Sequence, residues 1–161
     1  MQAAGRQLGI ATELYFHESD RVAIHTLVAA SYNIIRDVSR HKGAPDMAVK
    51  DLFPTTVSAA QRKRVENWLN SFENFFKHAD RDPDGTIKFN GEITELMLID
   101  AWAQYERLGG TLSRAGKIFK LWTGNLKEGT LPEIATVASV FKRLPKRQFY
   151  ESLLPFFQPE T

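Results

Sequence analysis

Residues 91–108 read GEITELMLIDAWAQYERL, and the reading of this stretch decides the fold. Ile93, Leu96, Met97, Leu98, Ile99, Ala101, Trp102, Ala103, Tyr105 and Leu108 place apolar side chains on nearly every side of a 3.6-residue helix. Such a helix belongs at the centre of a molecule, touched from several directions. Gly109-Gly110 ends it. The acid inside the stretch, Asp100, falls on the side of Ile93, Leu96 and Met97, because seven residues make nearly two turns. A carboxylate placed there needs a partner.

Helical periodicity continues on both sides of that stretch. A first helix is expected over 3–16, with Leu8, Ala11, Leu14 and Tyr15 at helical spacing. Ser19 or Asp20 can cap a long second helix that Gly43 ends in the left-handed conformation. Its stripe is Ile24, Leu27, Val28, Ser31, Ile34, Ile35 and Val38. Residues 44–57, with Pro45 and Pro54, read as a connector. Ser58 and Gln61 form a capping box for a third helix, whose stripe Val65, Trp68, Leu69, Phe72, Phe75, Phe76 and Ala79 is expected to be core. Further helices are expected over Thr111–Trp122, Leu131–Arg143, capped by Thr130 and Glu133, and Lys146–Leu154. Strand-like alternation occurs only in TIKFN, residues 86–90, which allows a short hairpin near 80–91. The expectation is one all-α domain over 1–161, a bundle of about six or seven helices. Its second, third and fourth helices form the core, with the C-terminal helices laid over them.

Composition excludes several kinds of chemistry. Among 161 residues, 43% apolar, there is no cysteine, hence no disulfide, thiolate nucleophile or cysteine-ligated metal. No run of about 18 apolar residues and no signal-like apolar segment occurs, so a cytoplasmic protein without a membrane partner is expected. The net charge of +2 is unevenly spread: residues 1–110 hold 13 basic and 15 acidic side chains, residues 111–161 hold 8 and 4. Arg114, Lys117, Lys120, Lys142, Arg143, Lys146 and Arg147 could touch phosphates such as those of RNA, or simply keep the surface solvated. Phosphate-binding loops, dinucleotide fingerprints, nucleophile elbows and His-Glu-x-x-His helices are absent, so no organic cofactor is implied.

Three constellations remain. Asp80, Asp82, Asp84 and Gly85 copy the start of a calcium loop, but Gly91 stands where the bidentate Glu belongs. The same Asp-Pro-Asp-Gly string also reads as a helix-terminating turn. Polar residues on otherwise apolar helices form a second set: His25, Asn74, His78 and Asp100. If their faces met, with Arg36 sharing the His25 stripe, an Asp-oriented His near an Arg and an Asn would make an acid/base or anion site; if not, buried pairs of this kind fix helix register. The third set is Arg36 and His41 in RDVSRH. This string resembles the Arg-x4–6-His signature of the HEPN superfamily, small helical bundles. The resemblance implies a metal-independent ribonuclease in which Arg36 stabilises phosphate charge and His41 is the acid/base, usually across a dimer interface. Without that resemblance, Arg40, His41 and Lys42 suit the negative end of a helix dipole.

The strings AIHTLVAASYNIIRDV and ENFFKHADRDPDG are similar to a recurring pattern of small bacterial all-helical proteins, over roughly residues 8–100. That similarity implies a bacterial helical protein and singles out His25, Asn74, Lys77, His78, Asp80 and Asp100, without a reaction. The functional expectation is therefore a non-enzymatic interaction or regulatory module, forming a homodimer. The alternatives are a HEPN-like ribonuclease acting on RNA and, behind it, calcium binding at 80–92.

Overall fold

A computed structural model of the chain describes residues 1–78, 83–89, 91–124 and 138–158. Six α-helices among them are α1 (Gln2–Phe16), α2 (Arg21–His41), α3 (Ala59–Lys77), α4 (Glu92–Arg107), α5 (Arg114–Thr123) and α6 (Lys146–Leu153). The chain is all-α. The expected 44–57 connector holds a π-helical turn, Ala48–Leu52, and a 3-10 turn, Phe53–Thr56. Residues 138–141 are helical and 142–143 form a turn; 131–137 of the expected 131–143 helix, with the Thr130–Glu133 box, lie outside the described residues.

Local chemistry sets the helix ends. The Asp20 side chain accepts the Ala23 N–H at 2.8 Å and starts α2. Gly43, at φ +63°, ends it as Ala44 N–H closes on the Ser39 carbonyl. At Ser58 the expected capping box takes another form: its hydroxyl donates to Gln61 Oε1 at 2.8 Å instead of accepting a backbone N–H. Ser113 accepts the Gly116 N–H at 3.1 Å, so α5 starts at Arg114 and not at Thr111. No strand occurs among the described residues, so the hairpin near 80–91 is not formed there. The alternation survives as burial: Ile87 and Phe89 are half-buried while Thr86 and Lys88 are exposed.

The core is built by α1, α2 and α4, not by the second, third and fourth helices. Ala4, Leu8, Ala11 and Phe16 of α1 pack with Ile24, Val28, Tyr32 and Ile35 of α2 and with Met97, Leu98, Ala101 and Trp102 of α4. Phe119 of α5 and Phe149 of α6 close over Phe16, with Tyr150 stacked on it at 4.8 Å. Small residues allow the approach: a Cβ on Gly116 would sit 2.9 Å from the Trp102 ring. Trp102 keeps its indole N–H satisfied by donating to Thr12 Oγ1 at 3.0 Å.

The α3 stripe is core only in part. Leu69 and Phe72 are buried, Val65, Phe75 and Phe76 are half-buried, and Trp68 is exposed. The helix lies on α2, the 3-10 turn and the Phe89 segment, which cover one side of the stripe and leave Trp68 out. Leu96 likewise stands out of α4 into solvent, so that helix is buried on most sides and not all.

Candidate functional site

The π-turn is where most of the polar side chains converge. Its wide ring forms because Leu52 N–H reaches back five residues to the Met47 carbonyl, at 3.1 Å. Three groups then hold the turn from outside and within. Val49 N–H donates to Asp100 Oδ2 at 2.9 Å, Lys50 N–H donates to the Tyr32 hydroxyl at 3.2 Å, and Met47 N–H donates to Asp51 Oδ2 at 3.1 Å. The Tyr32 hydroxyl in turn donates to Asp100 Oδ2 at 2.5 Å. Burial and the adjacent Asp100 carboxylate push the Tyr32 phenol well above its ordinary range. Asp100 therefore has the partners that its position demanded, and they are Tyr32 and the turn's backbone.

Charges are matched around this turn. Arg36 Nε donates to Asp51 Oδ1 at 2.7 Å, and Arg40 reaches the same oxygen at 2.7 Å. Burial raises the Asp51 pKa, but the Arg36 hydrogen bond, the Met47 N–H and both guanidinium charges outweigh it and hold the carboxyl below its usual range. The nearly buried Lys50 ammonium lies 2.8 Å from Glu73 Oε2 and 3.0 Å from Asn33 Oδ1. Glu73 also accepts Asn33 Nδ2 at 2.6 Å and Lys77 at 2.7 Å. Against the upward pull of burial, the hydrogen bonds and charges of Lys50 and Lys77 keep its carboxyl low. The result is a clamp that ties α2, α3 and α4 to one turn.

A second polar position sits beside it. His25 has no exposed surface; its Nδ1 is 2.9 Å from Thr94 Oγ1, and Nε2 has no hydrogen-bond partner among the described residues. Phe72, Phe76 and Phe89 surround the ring edge-to-face, with centroids 6.1, 5.9 and 4.9 Å away. Burial lowers the imidazole pKa to about 4, so the ring is neutral at pH 7. It serves as a wedge joining α2, α3, α4 and the Phe89 segment.

These placements separate residues that the sequence allowed to meet. Asp100 is bound to Tyr32 and His25 to Thr94; Asn74 is exposed, and half-buried His78 ends α3. Arg36 faces Asp51, whereas His41 is exposed at the last residue of α2. Five helical residues put the two about 140° apart around the axis. Asp84 is exposed, and Asp80 and Asp82 lie outside the described residues. No group of three His, Asp or Glu side chains suited to a metal ion occurs among the described residues. Of the C-terminal cations, Lys120 pairs with Glu106 at 2.6 Å, Arg147 with Glu151 at 2.8 Å, and Lys146 lies 3.9 Å over the Tyr15 ring. Lys117, Lys142 and Arg143 are exposed. No helix among the described residues is long and apolar enough to cross a membrane.

Sequence reading missed Asn33, Lys50, Asp51, Glu73 and Thr94. A usable signal was the polar run Tyr32, Asn33, Arg36 and Arg40 on α2, which requires a polar neighbour. Outside the clamp, Trp68 (49% exposed), Leu52 (47%) and Phe53 (46%) face solvent, and Arg62, Lys63 and Arg64 are exposed on the first turns of α3. No family model, curated protein or solved structure matches the chain.

Proposed function

We propose that the chain is a non-catalytic interaction module that docks a protein partner on α3 and the adjoining π-turn. The observation that carries this reading is Trp68, half-exposed in the middle of a 19-residue helix of which only Leu69 and Phe72 are buried. Tryptophan and arginine are the residue types that most often dominate binding energy at protein interfaces. Arg62, Lys63 and Arg64 favour a partner with an acidic surface and an apolar side chain for Trp68. The clamp fits the same purpose, because it fixes the base of α3 through Glu73 and leaves the outer face clear. The groups that chemistry would call on are engaged elsewhere: Arg36 on Asp51, and Asp100 on Tyr32 and Val49. A ribonuclease mechanism would require Arg36 to leave Asp51 and His41 to come round the helix.

The test is affinity capture with wild type, Trp68→Ala and Val140→Ala as the surface control. The partner recovered is then purified and titrated while acrylamide quenching of Trp68 is read. A partner retained by Val140→Ala, lost with Trp68→Ala and shielding Trp68 from quencher is the expected result. Equal binding by Trp68→Ala would overturn the reading. So would cleavage of total RNA in chelator by wild type that disappears in Arg36→Ala, His41→Ala or His78→Ala.

A further inference from the structure

The outward side of α1 carries an open groove of about 660 Å³ between that helix and the chain around Tyr105 and Thr111–Ser113. Along it lie Gly5, Arg6, Gly9, Ile10 and Glu13. Gly5 is explained within the chain: a Cβ there would meet the Tyr105 hydroxyl at 2.3 Å. Gly9 is explained in the same way, being buried with a Cβ position 3.3 Å from the Ser113 hydroxyl, whereas the exposed residues are not. Ile10 stands 52% exposed between Arg6 and Glu13, which are exposed as well. Neither charge makes an ion pair among the described residues. They are the only charged residues of the lining, one of each sign, seven residues and about 10 Å apart along the helix.

We infer that this groove is the contact face for a second copy of the chain, with the two α1 helices antiparallel about a two-fold axis near Gly9 and Ile10. A two-fold axis there exchanges positions 6 and 13 of the helix, so Arg6 meets the partner subunit's Glu13 twice. A parallel arrangement would oppose like charges. The same operation brings the exposed Ile10 side chains of the two copies together beside the axis. One 15-residue helix and its groove make a small interface, so the dimer is weak and concentration-dependent. No residue of the lining belongs to α3 or the π-turn. The inference is therefore independent of the partner proposed for Trp68, and a dimer would carry two such surfaces.

Sedimentation velocity over a concentration series reaching the millimolar range tests it, with circular dichroism confirming that each variant keeps its helix content. Wild type should show a reversible monomer–dimer equilibrium. Arg6→Glu and Glu13→Arg should each weaken it by about tenfold or more, because each places like charges opposite twice. Ile10→Asp should remove it. An equimolar mixture of Arg6→Glu and Glu13→Arg should dimerise again, as should the double variant with the charges exchanged. A monomeric wild type throughout the series, a dimer indifferent to the charge reversals, or a mixture that stays monomeric would overturn the inference.

Discussion

α3 and α4 each carry a tryptophan within an apolar stripe, and the two tryptophans end in opposite environments. Trp102 of α4 is buried against Gly116 and Thr12, under α1 and α5. Trp68 of α3 is half in water. The stripe on α3 is the richer in aromatic residues, so the difference does not come from the helix itself. It comes from the neighbours. α4 is approached by α1, α2, α5 and the π-turn, whereas α3 leans on α2, the 3-10 turn and the Phe89 segment and is tied down through Glu73 and His25. Apolar periodicity states which face of a helix avoids water, and the rest of the chain decides whether anything covers it.

The sharpest way to test that contrast is to remove both tryptophans in turn. Trp102→Ala deletes a filled position and leaves Thr12 without its donor, and should cost about 3–5 kcal/mol in urea denaturation. The acid dependence comes next. His25 titrates at about 4 in the folded chain and near its ordinary 6.5 in the unfolded one. Between those values the unfolded state binds more protons, so stability should fall as pH drops from 6.5 towards 4, by roughly 3 kcal/mol in all. Glu73, Lys50 and Lys77 face the ring electrostatically, and Glu73, whose carboxyl is held below its ordinary 4.5, adds its own loss of stability only as pH falls through that value. His25→Gln should flatten the dependence between pH 6.5 and 4.5; an unchanged slope would mean that the wedge is elsewhere.

Asp100→Ala leaves the Tyr32 hydroxyl and the Val49 N–H without their acceptor, and should cost about 2 kcal/mol while loosening the π-turn. Asp100→Asn, which keeps an acceptor oxygen, should cost less. Trp68→Ala is the smallest: below about 1 kcal/mol, because its ring leaves little burial to lose. If Trp68→Ala and Trp102→Ala destabilise equally, the contrast between the two helices is wrong.

Features decided within a few residues were legible in advance. Asp20 and Gly43 bound α2 as expected, since capping needs only local backbone and one side chain. The need of Asp100 for a partner was readable too, but not its identity, because Tyr32 and Val49 lie 68 and 51 residues away. The π-turn gave no periodic signal: its backbone is held by Asp100 and Tyr32 and its charges by Arg36 and Glu73, groups that no local pattern points to. The exchange of roles between α1 and α3 has a similar origin. Ala4, Gly5 and Ala11 look weakly apolar in sequence, yet their small size lets α1 enter the interior beside Trp102 and Tyr105.

The account stands on α3 being a lightly held arm on a core of α1, α2 and α4. Native-state hydrogen exchange at pH 7 and pH 5, resolved by helix, measures this directly. The amides of α3 should open at lower free energy than those of α2 and α4 at pH 7, and should lose protection first at pH 5, where His25 is neutral in the folded chain but takes up a proton once α3 opens. Exchange of α3 and α4 through one common opening at both pH values would contradict it.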